Sequence, residues 1–203
     1  MIDLTGKTFV VLGVKGAGKS TLVDMIHNSY GEQALYYDTL HEAPEATEYN
    51  VYQPADKYSI PELESVISAI IPATKFAVPK FKVFTVDEGN RFFKPYPKPM
   101  PQKAKELNDI CRHFGMSFGV IARRPSQLHT DLVDLADYLF IYRLTGKNDL
   151  VYLENTASGL SEAVRTLGVH EFVQVNPDKS FEVCEPIKPN KNWVNNAKKL
   201  LNH

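Results

Sequence analysis

Gly13-Val14-Lys15-Gly16-Ala17-Gly18-Lys19-Ser20 stands between two segments of different character. Before it, Thr8-Phe9-Val10-Val11-Leu12 is a β-branched and apolar run that reads as a buried strand. After it, Leu22, Val23 and Ile26 fall at helical spacing from Lys19 onward. The octet matches G-x-x-x-x-G-K-[ST] in full, in the strand-to-helix context that a phosphate-binding loop needs. Glycines let the backbone turn so that successive N–H groups point inward at phosphate oxygens. The new helix adds its positive N-terminal end. Gly13, Lys15, Gly16, Ala17, Gly18, Lys19, Ser20 and Thr21 are therefore the expected phosphate contacts. Lys19 is expected to act as a point charge on the β- and γ-phosphates. The Ser20 hydroxyl suits Mg2+, which takes oxygen donors, and Thr21 suits the α-phosphate.

Working outward, strands and helices alternate. Ala34 to Asp38 reads as a second strand, and residues 39–60 mostly as loop. A helix is expected from Ser59 to about Ile71, with Pro61 in its first turn. Phe81 to Glu88 reads as a strand, Lys103 to Phe114 as a helix stopped by Gly115, and Ser117 to Ala122 as a strand. Leu128 to Leu135 is helical or turn-like, and Tyr138 to Tyr142 is another strand. Ser158 to Leu167 suggests a short helix, and Asn176-Pro177-Asp178-Lys179 a hairpin turn between two strands. This order predicts an α/β fold of the RecA-like P-loop NTPase class, with a mainly parallel central sheet flanked by helices and a C-terminal antiparallel hairpin. Ligands on such sheets sit beyond the carboxyl ends of the strands. Residues 1–185 are expected to form the domain, and 186–203 a basic tail with Lys188, Lys191, Lys198, Lys199 and an anchoring Trp193.

Val83-Phe84-Thr85-Val86-Asp87-Glu88 carries two acids on the end of an apolar strand, the Walker B pattern. Asp87 is the expected magnesium-shell ligand and Glu88 the group that polarises an attacking water. Metabolite kinases of the P-loop class usually lack this pair. The pair favours ATP hydrolysis over transfer to a small acceptor. Two solvated acids capping a strand would be the plain structural explanation.

Bulk properties bound the partners. The chain has 203 residues, a formal net charge of -1 and 43% hydrophobic residues, ordinary for a soluble globular domain. Bulk charge does not advertise nucleic-acid binding, so any such contact needs a local basic patch. Cys111 and Cys184 lack metal-ligand spacing and read as buried small hydrophobes in a reducing compartment. No apolar run approaches the length of a membrane span, and a cytoplasmic location is expected.

The stretch Arg112-His113-Phe114-Gly115-Met116-Ser117-Phe118-Gly119-Val120-Ile121-Ala122-Arg123-Arg124-Pro125-Ser126-Gln127 adds a third block. It resembles the FtsK–HerA superfamily of DNA-pumping ATPases, from about Thr8 to Tyr142. Their pattern is an arginine before a glycine, a strand, and a Thr-Gln-Arg-Pro-Ser-like segment. The short length is similar to that of genome-packaging ATPases of internal-membrane viruses and related phages. The resemblance implies that Arg112 reaches a neighbour's nucleotide in trans, and that Arg124-Pro125 matches the family's Arg-Pro. Arg123 stands where the family often has glutamine. Arginine can contact a γ-phosphate but cannot accept a proton from water. A helix C-terminal cation is the plain alternative for Arg112, and surface ion pairing for Arg123 and Arg124.

The resemblance also implies a homo-oligomeric ring acting on double-stranded DNA, with a viral capsid or portal component as a further partner. The loop from Lys94 to Lys105, with Lys98, Lys103 and Tyr96, is the expected DNA contact, each subunit adding a modest patch. A solvated, proline-stiffened loop explains it equally well. Two other readings stay open: a P-loop phosphotransferase, whose lid at 39–58 would contain no arginine, and a non-motor assembly ATPase resembling the zonula-occludens-toxin-like group.

Overall fold

The computed structural model describes residues 3–44, 47–74 and 77–189. The expectations for Lys191, Trp193, Lys198 and Lys199 lie outside the described residues. Eight strands form one sheet: β1 (Thr8–Leu12), β2 (Ala34–Tyr37), β3 (Asn50–Tyr52), β4 (Val83–Val86), β5 (Ser117–Ala122), β6 (Tyr138–Tyr142), β7 (Phe172–Val175) and β8 (Phe181–Cys184). Their spatial order is β3-β2-β4-β5-β1-β6-β7-β8. The first six run parallel, and β7 and β8 turn back antiparallel as the expected hairpin. The hairpin closes through Asn176 N–H to Ser180 O at 2.8 Å, with Asp178 accepting from Ser180 N–H at 3.0 Å. Because β8 is an edge strand, Cys184 is only half-buried, unlike the buried Cys111.

The central strands are buried along their whole length and mostly apolar because both faces are covered. Alternation along β1 sorts its side chains. Phe9 and Val11 face the helix α1 (Lys19–Tyr30), through Leu22, Val23 and Ile26. Val10 and Leu12 belong to the larger core on the other side. That core takes in α2 (Ile60–Ile70), α3 (Gln102–Ile110), α4 (Thr130–Asp134), α5 (Lys147–Thr156) and α6 (Leu160–Thr166). Gly119 on β5 shows how tight the sheet surface is: a Cβ there would lie 2.2 Å from the Phe9 ring.

Local signals fix several boundaries. Ser59 caps α2, its hydroxyl accepting from Glu62 N–H at 3.2 Å, with Pro61 in the first turn. After α3, Cys111–Phe114 tighten into a 3-10 turn that ends at Gly115, whose φ of 64° is left-handed. Two elements lie beyond the sequence expectation. β3 is three residues inside a stretch that reads as loop, and α5 occupies 147–156. Gly146 gives α5 no side-chain cap, and its buried residues include Asp149 where an apolar residue would signal a core face.

His27 sits fully inside, on α1. Its Nε2 pairs with Thr85 Oγ1 at 2.8 Å, and its ring meets Tyr36 and Tyr49 edge-on at 5.6 and 5.0 Å. Burial pushes its pKa down from 6.5 to about 3. Between those values the unfolded chain binds the proton and the folded chain does not. This contribution is therefore complete above pH 6.5 and declines as pH falls from 6.5 toward 3. In urea titrations across that range, His27→Gln is expected to flatten the acid limb of stability. An acid limb as steep as that of the parent would assign it to other groups.

Candidate active site

The loop leaving β1 is shaped by its glycines. Gly13 N–H bonds Ala122 O at 3.2 Å, which ties the loop's start to the end of β5. A Cβ on Gly13 would stand 2.7 Å from the Tyr142 Cβ. Gly16 and Gly18 take φ values of 77° and 112°, which disfavour any side chain. α1 then begins at Lys19 and aims its free N–H groups into the loop. The Lys19 ammonium arches back and donates to Gly13 O at 2.7 Å and Val14 O at 3.0 Å. Burial lowers its pKa, and Asp87 and Glu88 oppose that shift.

The two acids leave β4 at the same carboxyl edge. Asp87 N–H bonds Tyr37 O at 3.1 Å and Asp87 O accepts from Thr39 Oγ1 at 2.8 Å, so the backbone is held from the neighbouring strand. Burial pushes the Asp87 carboxyl up to about 7; Glu88 and Asp38 add to this, while the Glu88 N–H and Lys19 oppose it. A desolvated carboxylate beside two others fits a divalent cation, as does the exposed Ser20 hydroxyl. Among the described residues no group of three or more His, Cys, Asp or Glu is placed to hold a metal. Two protein oxygens suit Mg2+ arriving with a phosphate ligand, since that ion keeps much of its shell as water and phosphate. Asp38 is already engaged: it accepts from Glu42 N–H at 3.1 Å, Ala43 N–H at 2.9 Å and Gln53 Nε2 at 3.1 Å.

Glu88 has a left-handed backbone, φ 48°, which is strained for a residue with a Cβ. Its Oε1 accepts from Arg123 Nη2 at 3.1 Å and Nε at 3.3 Å. Arg123 thus reaches this site because β5 lies between β4 and β1. The next residue points elsewhere: Arg124 Nε is 3.7 Å from Asp149 on α5. Asp149 is buried and also accepts from Ser126 Oγ at 2.9 Å. A Cβ on Gly146 would strike that carboxylate at 2.7 Å. The Arg123–Gln127 loop is therefore pinned from two sides.

Three residues escaped the sequence reading because they come from distant segments. Tyr142 OH donates to Gly18 O at 3.0 Å. His170 Nδ1 donates to Ala17 O at 3.1 Å, from a left-handed backbone with φ 62°. Asp149 is the third. Tyr142 alone left a signal, as the last residue of a strand beside β1.

Arg112 is not brought to this site. It is exposed at the amino edge of the sheet, its backbone packed against Gly6 at the start of β1, while the phosphate loop is at β1's other end. It lines a hollow of about 500 Å³ with Lys7, Thr8 and Asp137. In the basic loop, Lys94 donates to Asn90 O at 3.0 Å and Lys103 pairs with Glu106 at 2.7 Å. Lys98 and Lys105 are exposed, and Tyr96 is 80% exposed.

No protein-family model matches this sequence, and neither does any curated protein. Solved structures do. The DNA-packaging ATPase of Sulfolobus turreted icosahedral virus superposes with a TM-score of 0.74 at 18% identity, over 91% of this chain and 100% of that one. The genome-packaging NTPase of Sulfolobus turreted icosahedral virus 2, in complex with AMPPCP, gives 0.71 at 20% identity, over 90% and 99%. This chain has the fold of the genome-packaging ATPases. The N-terminal domain of zonular occludens toxin from Neisseria meningitidis is more distant, with a TM-score of 0.54 at 10% identity, over 94% and 98%. The packaging-ATPase fold explains the sheet order, with β5 between the phosphate-loop strand and the acid strand. Among the described residues no helix is long and apolar enough to cross a membrane.

Asp149→Ala would leave Arg124 and Ser126 without their shared acceptor. It is expected to lower unfolding free energy by about 2 kcal/mol in urea titrations. A midpoint equal to the parent's would show that this loop is held by other contacts.

Proposed function

We propose that this chain is an ATP-hydrolysing motor that moves double-stranded DNA and packages a viral genome as a homo-oligomeric ring. The observation that carries this reading is the meeting of Lys19, Ser20, Asp87 and Glu88 at one sheet edge, with Arg112 at the opposite edge. Support comes from packaging NTPases of the same fold that bind ATP-gammaS and AMPPCP. Residues 1–185 are the ATPase domain in this reading, and 186–203 a basic tail.

ATP binding draws the Lys19 ammonium from the Gly13 and Val14 carbonyls to the β- and γ-phosphates, with loop amides on the remaining oxygens. Ser20 and Asp87 would hold Mg2+, which neutralises phosphate charge when bound. Glu88 takes a proton from a water whose oxygen attacks the γ-phosphorus; the bond to the β–γ bridging oxygen breaks, and ADP and phosphate leave. Arg123 holds Oε1, while Oε2 has no hydrogen-bond partner among the described residues and is the oxygen that accepts that proton, which removes the charge that holds Arg123. Arg123 is then free to meet the γ-phosphate, a role open to arginine although proton abstraction is not.

Arg112 cannot serve the site of its own chain, since the sheet separates them. In a ring it meets the next subunit's nucleotide and neutralises transition-state charge. Lys98, Lys105 and Tyr96 provide the DNA contact; Lys94 and Lys103 are partly committed to internal partners. The likeness to the zonular occludens toxin domain keeps a second reading in play, an assembly ATPase that does not act on DNA.

Glu88→Gln is expected to keep nucleotide binding and lose about 100-fold or more in turnover, while Lys19→Ala loses binding. A Glu88→Gln protein turning over normally would take this acid out of the chemistry. Long duplex DNA is expected to stimulate parent turnover; indifference to DNA favours the assembly ATPase. Arg112→Ala and Lys19→Ala chains, each inactive alone, should regain turnover when mixed, because the second supplies the arginine that the first lacks; no recovery on mixing would remove the trans role.

A further inference from the structure

His27 is fully buried, and the chemistry above makes no use of it. Its Nε2 meets Thr85 Oγ1 at 2.8 Å. That bond crosses from α1 to β4, the two elements that lead to Ser20 and Asp87. Ser20, Asp24 and His27 are spaced by four and three residues, so they share one face of α1. Leu22 and Ile26 lie on another, in the cluster with Phe9 and Val11. On β4, Val83 belongs to the cluster on the α1 side of the sheet. Thr85 and Asp87 follow it at two-residue spacing, and Asp87 N–H still bonds the neighbouring strand through Tyr37 O. Burial raises the Tyr36 phenol and Asp87 adds to that shift, which sets the Asp87 charge near this α1-facing ring.

We propose that the His27–Thr85 bond is a positioning brace, which fixes the Ser20 face of α1 against Asp87 and so sets the gap between the two protein oxygens offered to Mg2+. The inference rests on the reading of Ser20 and Asp87 as magnesium ligands, and it adds the pair that holds them in place. Two helical turns, about 10 Å, separate His27 from Ser20. Two strand residues, about 7 Å, separate Thr85 from Asp87. Hydrogen-bonded helix and strand are stiff over such lengths, so a shift at the brace reaches both ligands. Mg2+ is sensitive to such a shift, because it demands near-ideal octahedral geometry.

Packing alone explains this pair poorly. Burial pushes the His27 pKa down to about 3, so the ring is neutral, with one donor and one acceptor nitrogen. Nε2 serves Thr85, while Nδ1 has no hydrogen-bond partner among the described residues. A buried polar group left unpaired costs about 1–3 kcal/mol. An apolar side chain of similar size would avoid that cost and still fill the space. It would lose direction: apolar contact tolerates sliding of α1 along β4, whereas a hydrogen bond has a preferred length and angle. Tyr36 and Tyr49 meet the imidazole edge-on at 5.6 and 5.0 Å, and Tyr49 OH donates to Asp24 Oδ1 at 3.2 Å. His27 and Thr85 are both fully buried, and in such low-dielectric surroundings their bond is stronger than in water.

The test is isothermal titration of AMPPCP into the full chain, once with saturating Mg2+ and once in EDTA. The parent is expected to bind more tightly with Mg2+, and the ratio of the two affinities is the readout. Thr85→Val removes the hydroxyl at nearly constant shape. The double variant His27→Leu with Thr85→Val removes both polar partners, a change that can leave stability equal or raised. Both variants should bind AMPPCP in EDTA as the parent does, which also shows them to be folded. Both should lose about tenfold of the Mg2+ gain, the scale on which groups that orient metal ligands act. Thr85→Ser returns the hydroxyl and should restore the gain. Variants that keep the parent's Mg2+ gain overturn the brace. Affinities that fall equally with and without Mg2+ overturn it too, since a general packing defect would do the same. A parent whose binding is indifferent to Mg2+ removes the magnesium-ligand reading, and the brace with it.

Discussion

The close contact between Gly13 and Tyr142 is the constraint on which the rest of the site depends. β1 is flanked by β5 and β6, and the loop leaving it has to turn within the gap those strands leave. With a Cβ at position 13 only 2.7 Å from Tyr142, the chain can pass only as backbone. That near-contact presses the loop onto the sheet edge, and Gly16 and Gly18 then supply the two left-handed residues by which the chain turns into α1. Tyr142 is bound to Gly18 O and His170 to Ala17 O, so two carbonyls are held outward and cannot compete for the space in which phosphate belongs.

The same economy governs the charges. A buried carboxylate without a partner is costly, and three of the acids around the loop have an identifiable compensation. Asp38 takes two backbone N–H groups and an amide, Asp149 takes a hydroxyl and an arginine, and Glu88 takes Arg123. Asp87 differs. Burial dominates its shift upward, and its charged neighbours include two more acids, so the site favours an added cation. The tandem Arg123-Arg124 divides two duties. One side chain touches the acid that would meet water, and the other anchors the loop to α5. Moving Arg123 off Glu88 therefore need not loosen the loop, since Arg124 and Ser126 stay on Asp149.

How much of this was legible in the sequence follows from how local each signal is. The glycine-rich loop, the acid-ended strand and the start of the helix at Ser59-Ile60-Pro61 are contiguous patterns, and the structure places each where its pattern put it. Arg123 was singled out only through the family resemblance, and its pairing with Glu88, 35 residues away, was not legible at all. Tyr142, Asp149 and His170 left almost no trace, since their roles come from strand order and from a bond spanning as many as 153 residues. α5 was missed for a related reason. It buries a polar residue to serve the Arg124 loop, so its apolar pattern is too weak to announce a helix. Half of the basic loop proved committed to Asn90 and Glu106, a distribution that lysine count alone cannot reveal.

Arg112 and Lys19 set the final step of the argument, because they occupy opposite ends of the sheet. The strand β1 separates Gly6, against which Arg112 rests, from Gly13, where the phosphate loop begins. Six residues of extended chain span about 20 Å, well beyond the reach of an arginine side chain folded over its own domain. An exposed guanidinium at one edge and a triphosphate loop at the other make two unlike surfaces on one body. In the proposed ring such surfaces would meet head to tail, the kind of contact that closes when the rotation allows. The near-neutral net charge of the chain suits that arrangement, since like subunits pack side by side without strong mutual repulsion. Lysines too sparse to hold a duplex on one subunit would then act together around the closed assembly.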